Sequence, residues 1–153
     1  MRISAKADYA VRAAAELAAA QHTGAPVRAE AIATAQGIPQ RFLENILADL
    51  RHARIVQSVR GAEGGHKLNR PADEITVADV IRSVDGPLAA VRGEKPENVT
   101  YSGPAEPLQR VWIALRHNLR AVVEHVTLAD LAGGALPERI DELAEDPEAW
   151  RTR

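Results

Sequence analysis

Two groups of polar side chains have the types and spacing to do chemistry. The first lies between residues 28 and 66 and comprises Arg28, Gln40, Arg41, Glu44, Asn45, Arg51, Arg60 and His66. Arginine forks suit guanine edges or phosphates, amide side chains suit adenine, and a carboxylate accepts from a cytosine amine. For Glu44 an ion pair with Arg41 or Arg51 is the structural alternative. The second group is His117, Glu124 and His125, two imidazoles eight residues apart with a carboxylate beside one of them. Such a set is chemically able to hold zinc or iron, or a single histidine a haem, although it contains no tight i, i+4 pair. Solvated histidines on a helix are the plainer reading. No catalytic signature of the G-x-S-x-G, H-E-x-x-H or Walker type occurs, so no enzyme activity is expected. The glycine-rich run Gly61-Ala62-Glu63-Gly64-Gly65 lacks the G-x-G-x-x-G order and leads into no helix, which argues against a nucleotide loop.

These residues need elements to position them. Apolar residues at helical spacing predict a first helix over 4–21, with Ser4 as its cap and Ala7, Ala10, Val11, Ala14, Leu17 and Ala18 inward. A short helix over 28–36 stops at Gly37, and Ile38-Pro39 opens a third helix with proline in its first turn. Phe42, Leu43, Ile46, Leu47 and Leu50 form the apolar face of that helix. The opposite face shows Gln40, Arg41, Asn45, Asp49 and Arg51. Two short helices joined at a glycine form a helix-turn-helix pattern, one that many helical hairpins share. Alternation over Ile55–Val59 and a return strand at His66–Leu68 add a β-hairpin, a wing whose Gly64-Gly65 tip is flanked by Arg60 and His66.

Thr76 with Asp79 caps a further helix over 76–85, which Gly86-Pro87 stops, and residues 89–107 read as a loop. A long helix is expected from Ala105 to Asp130. Leu108, Trp112, Leu115, Leu119, Val122 and Val126 are spaced 4, 3, 4, 3 and 4 along it, a heptad seam. That seam suits a twofold dimer contact, and a chain of this size has room to bury it internally as well. A short helix over 137–144 precedes an acidic tail. The expected organisation is therefore a winged helix-turn-helix (1–86), a loop of sensor type (87–107), a dimerisation helix (108–132) and a tail (133–153). The fold class is mostly α with a small β-hairpin.

Composition bounds the rest. The 153 residues are 46% hydrophobic and 3% aromatic, so the core must be built from Ala, Leu, Val and Ile. There is no cysteine, which removes disulfides, thiol nucleophiles and Cys-ligated metal together. No signal peptide or membrane span is visible, and a cytoplasmic location is expected. The net charge of −2 conceals an asymmetry: residues 1–70 carry ten Lys/Arg against six Asp/Glu, whereas residues 71–153 carry nine against fifteen. A basic first half is the electrostatic footprint expected of a nucleic-acid binder.

The segments "MRISAKADYAVRAAAELA", "AQGIPQRFLENILADLR", "VRGAEGGHKL" and "ITVADVIRSVDGPL" resemble, in order and spacing, the IscR/NsrR (Rrf-two type) family of winged-helix regulators. The similarity continues through "VWIALRHNLRAVVEHVTLADL" and covers roughly residues 1–132. It implies a homodimeric repressor of a near-palindromic DNA operator. Arg28, Gln40, Arg41, Glu44, Asn45, Arg51, Arg60, Gly64, Gly65 and His66 would lie at the DNA. Many relatives hold an iron–sulfur cluster on three cysteines in the loop after "VDGPL". Here that loop reads "AAVRGEKPENVTYSG", with Gly93 about where the first cysteine would stand. Asp8 matches a position that supplies a non-cysteine ligand in some relatives. No cofactor is therefore expected. A small-molecule or protein effector at the 89–107 loop remains open. Two alternatives stand beside this reading: a metal- or haem-sensing regulator using Asp8, His117 and His125, and a winged-helix module that binds protein.

Overall fold

In the computed structural model, which describes residues 2–152, small side chains decide how the first helix packs. Helix α1 (Ala5–Ala20) begins at Ser4, whose hydroxyl accepts from the Ala7 N–H at 2.9 Å. Ala7, Ala10, Ala13, Ala14, Leu17 and Ala18 are all buried. An alanine face lets neighbouring helices approach closely, so α1 can serve as the central post of the domain.

Helices α2 (Ala29–Gln36) and α3 (Gln40–His52) pack on it. Gly37 takes φ 61° at the end of α2, a left-handed conformation that glycine adopts without a Cβ clash. Pro39 is the N-cap of α3, one position earlier than its predicted place in the first turn. Leu43, Ile46, Leu47 and Leu50 seal α3 against the core, each contributing about 1.5–3 kcal/mol by burial. Phe42 does not join them. It is 59% exposed and meets Tyr9 of α1 ring to ring at 6.5 Å. At 100° per residue it lies about 40° outside the arc occupied by the four buried residues. An ion pair of 2.6 Å between Lys6 and Asp49 joins the exposed edges of α1 and α3.

Strands β1 (Val56–Val59) and β2 (Gly65–Leu68) form the antiparallel wing in the register Val56↔Leu68, Gln57↔Lys67, Ser58↔His66 and Val59↔Gly65. The far edge of β2 is also paired. Val27 and His66 exchange both backbone hydrogen bonds, at 2.8 and 2.7 Å, so the wing is held to the chain just before α2.

Helix α4 (Val77–Asp85) opens with a capping box between Thr76 and Asp79. Residues 87–107 then run as turns, with one-turn 3₁₀ segments at 96–98 and 103–105. The helix predicted from Ala105 to Asp130 is two helices, α5 (Leu108–Val123) and α6 (Leu128–Gly133). A second capping box, Thr127 with Asp130, starts α6, and Leu128 is fully buried in the winged-helix core. Val126 therefore lies outside α5. It is buried, and its carbonyl accepts from the Val77 N–H at 2.9 Å. Helix α7 (Glu138–Glu145) precedes a final turn at 147–150. Among the described residues no helix is long and apolar enough to cross a membrane.

Candidate nucleic-acid interface

Burying Leu43, Ile46, Leu47 and Leu50 turns the other side of α3 outward. At 100° per residue, Gln40, Arg41, Glu44, Asn45 and Arg51 fall within one arc of less than half a turn. All five are exposed. Among the described residues, Arg41, Glu44, Asn45 and Arg51 have no side-chain hydrogen bond or ion pair, so their polar groups are free for a partner. The alternative ion pair of Glu44 with Arg41 or Arg51 is thus not formed.

Gln40 is held from a residue that the sequence pattern does not single out. Its amide donates to Glu30 Oε1 at 3.3 Å. The Glu30 carboxylate is pulled below its ordinary pKa, first by its own backbone N–H and then by Gln40. Glu30 and Gln40 open consecutive helices, and only the tight turn at Gly37 brings them together. No periodicity in the sequence marks the pair.

The wing is fastened beside this face. Arg28, the N-cap of α2, donates through its guanidinium to the Ala62 carbonyl at the wing tip. A groove of about 290 Å³ runs between the start of α2 and the hairpin, lined by Arg28, Glu30, Ser58, Gly61, Gly64 and His66 among others. A Cβ on Gly65 would stand 2.5 Å from the Val27 carbonyl oxygen, and one on Gly64 would stand 2.2 Å from that of Val59. Glycine is required at both positions by close backbone approach. Arg60 is exposed at the base of the tip with no partner among the described residues.

His66 differs from its predicted role as an exposed donor. Its ring is half-buried, and Nδ1 is buried with no hydrogen-bond partner among the described residues. Burial, then the nearby Arg51, pushes its pKa below the ordinary 6.5.

The candidate metal ligands are dispersed. Asp8 pairs with Arg12 one turn on, at 3.0 Å. His125 lies beyond the end of α5, so it shares no helix face with His117. Glu124 is engaged by Arg82 and, at 3.8 Å, by Arg120. Among the described residues no three His, Asp or Glu side chains gather closely enough to hold a metal ion.

A helix-turn-helix with a paired wing and a free polar face on its second helix has the parts of a duplex reader. Comparison with known proteins decides the family, since residues 3–134 match the family model Rrf2, described as an iron-dependent transcriptional regulator. The chain belongs to the Rrf2 family. It is 54% identical to the putative HTH-type transcriptional regulator Rv1287 of Mycobacterium tuberculosis over 149 residues, covering 97% of this chain and 92% of that one. It is 35% identical to the HTH-type transcriptional regulator CymR of Bacillus subtilis, over 86% of this chain and 90% of CymR. The solved structure of B. subtilis CymR (YrzC), the global cysteine regulator, superposes with a TM-score of 0.73 at 33% identity, covering 88% and 98% of the two chains. T. potens IscR superposes at 0.67 with 31% identity, covering 100% and 93%. This Rrf2 chain is accordingly a winged-helix, DNA-binding transcriptional regulator, and its named relatives are regulators, not enzymes.

Proposed function

We propose that this chain is a homodimeric repressor that reads a near-palindromic operator. The free polar face of α3 carries this reading. Its N-terminal end enters the major groove. Arg41 and Gln40 reach base edges or adjoining phosphates, Asn45 follows, and Glu44 accepts from a cytosine amine. Arg51, at the other end of the same face, takes a phosphate. Arg28, beside the N-terminus of α2, takes another, and Arg60 with the Gly64-Gly65 tip follows the neighbouring minor groove. His66 serves this surface from beneath, through the backbone pairing that holds the wing.

The twofold contact is made by α5. No residue of α5 is buried within the protomer, and Val111 and Val122 are 53% and 37% exposed. Leu108, Trp112, Leu115, Leu119 and Val122 form the seam, shortened by the loss of Val126. The iron-dependent chemistry named for the family does not fit this chain. It has no cysteine, and Glu97 in the corresponding loop is committed to Arg116. The chain therefore represses in the cytoplasm without a Cys-ligated iron–sulfur cluster.

The test is selection of bound duplexes from a random pool by the purified chain, followed by fluorescence anisotropy on the enriched sequence. An enriched inverted repeat, bound with a slope in log affinity against log salt of about −0.9 per neutralised phosphate, is the expected result. Failure to enrich any sequence would overturn the reading.

A further inference from the structure

Four of the nine Lys and Arg residues in the acidic half of the chain converge on one cleft. It has a volume of about 380 Å³ and lies between the end of α4, the following loop and α5. Arg82, Lys95, Arg116 and Arg120 line it with Glu97, and Pro87 and Leu88 supply an apolar wall. Two carboxylates oppose the four cations. Glu97 pairs with Arg116, and Glu124 pairs with Arg82 and more distantly with Arg120. The Glu97 carboxyl is held below its ordinary pKa, first by its own backbone N–H and then by Arg116.

That balance leaves two positive charges in excess, within a segment whose overall charge is strongly negative. The Lys95 ammonium has no hydrogen bond or ion pair among the described residues, acting on Glu97 only through its charge, and the Arg116 side chain is only 14% exposed. Like charges gathered in a concave, partly desolvated site repel one another and focus a positive potential. An anion relieves both. None of the lining residues lies on α2, α3 or the wing, so this cleft is separate from the DNA-reading face.

We propose that the cleft binds a small, doubly charged oxyanion, a dicarboxylate or a phosphate monoester. Its charged groups bridge Lys95, Arg116 and Arg120, and its short carbon skeleton lies on Pro87 and Leu88. The oxyanion competes with Glu97 for Arg116 and with Glu124 for Arg120. The Arg82–Glu124 pair ties α4 to α5, so occupancy alters how the seam helix sits on the DNA-reading body. This step deepens the proposed function by naming its effector class, and it rests on that reading. Coupling of this kind is reciprocal, so operator DNA shifts the affinity for the anion by the same factor.

The experiment is isothermal titration calorimetry of the full chain with succinate and with glycerol 3-phosphate at fixed ionic strength. Sodium chloride at matched ionic strength is the control. Saturable binding of one probe is expected, and which probe binds distinguishes the carboxylate source from the phosphate source. Lys95→Ala and Arg120→Ala, both surface changes, should each weaken binding by about tenfold, the size of one charge-assisted contact. Glu97→Gln, which frees Arg116, should strengthen it severalfold. Heats no larger than those of sodium chloride, or binding unaffected by both cation deletions, would overturn the proposal. Absent anion binding with intact operator binding removes the effector alone. Saturable anion binding by a chain that selects no DNA removes the repressor reading instead.

Discussion

Thr76 and Thr127 face each other across a single antiparallel bridge, and each is the N-cap of the helix that leaves it. The two segments are near-copies in sequence, Ile75-Thr76-Val77-Ala78-Asp79 and Val126-Thr127-Leu128-Ala129-Asp130. The Val77 N–H donates to the Val126 carbonyl and the Leu128 N–H to the Ile75 carbonyl, both at 2.9 Å. In each segment the threonine hydroxyl takes the aspartate's backbone N–H, and the aspartate carboxylate takes the threonine's. Helices α4 and α6 thus diverge from one shared knot. This knot returns the chain after α5 to the core of the winged helix.

Thr127→Ala removes one cap from that knot and should destabilise the protein by about 1 kcal/mol. The loss should be local at first, because α6 is short and leans on its cap and on Leu128. Faster amide exchange over residues 128–133, with a lower urea midpoint, is the expected result. Unchanged exchange there would show that burial of Leu128 suffices without the cap.

The same knot explains where the sequence misleads. The wing, α1, α2, α3 and α4 are readable because each carries its own period and its own stop, such as Gly37 or Gly86-Pro87. The heptad spacing from Leu108 to Val122 continues by coincidence to Val126, and it masks the T-x-x-D signal at Thr127. Repetition of the Thr76 motif is the clue that could break the tie. On the candidate site, the exposed face of α3 follows from its period. The partnership of Glu30 with Gln40 does not, since it depends on how two helices meet. Nor does the burial of His66: strand alternation assigns a side-chain face, but not what the start of α2, brought beside β2 by the Val27 pairing, places near it. The loop after α4 reads as unstructured polar chain, yet Gln109 and Trp112 of α5 hydrogen-bond to Pro96, Glu97 and Tyr101.

Leu115→Glu and Leu119→Glu test the seam. Each buries an unpaired carboxylate from both protomers at the twofold contact, a cost of several kcal/mol. Because α5 buries no residue within its own protomer, the variants should keep the wild-type circular dichroism while becoming monomeric. Sedimentation velocity at micromolar concentration reads the change. A monomeric wild type would remove the dimer from the proposal.

Gly65→Ala should detach the wing. The added methyl meets the Val27 backbone at 2.5 Å, and neither partner is a flexible side chain that can step aside. Strain of this kind costs about 1–3 kcal/mol. A lower melting temperature should accompany weaker operator binding, because the hairpin can no longer hold Arg60 in place. Wild-type values for both quantities would mean that the Val27–His66 pairing is not what anchors the wing.

The half-buried His66 predicts a pH effect with a definite sign. Its folded pKa lies below the ordinary 6.5, so the unfolded chain binds the proton more readily. The associated stability is fully present above pH 6.5 and is lost as pH falls from there through the folded value. His66→Gln should flatten the fall of melting temperature in that window relative to wild type, while leaving the acid limb set by carboxylates. Parallel profiles for the two proteins would exclude His66 as the titrating group.

Arg41→Ala and Arg60→Ala should fail in different ways. Each removes a cation from the proposed DNA surface, so each should weaken binding and reduce the salt slope by about one unit for every phosphate left without its cation. Arg41 lies in the first turn of α3, the end that the proposal sends into the major groove toward the base edges. Its loss should therefore cost about 1–3 kcal/mol against the preferred operator and less on scrambled duplex, relaxing the sequence preference. Arg60 lies at the base of the wing tip, which the proposal sets against the minor groove, whose hydrogen-bond pattern distinguishes little beyond A·T from G·C. Its loss should be nearly uniform across sequences. Anisotropy titrations of both variants on operator and scrambled DNA at several salt concentrations separate the two behaviours. Equal losses on both duplexes for Arg41→Ala would make Arg41 a backbone clamp, and base selection would then rest on Gln40, Glu44 and Asn45. Of these, Gln40 has its amide already oriented by Glu30, so Glu30→Ala should then loosen sequence preference without removing a positive charge from the interface.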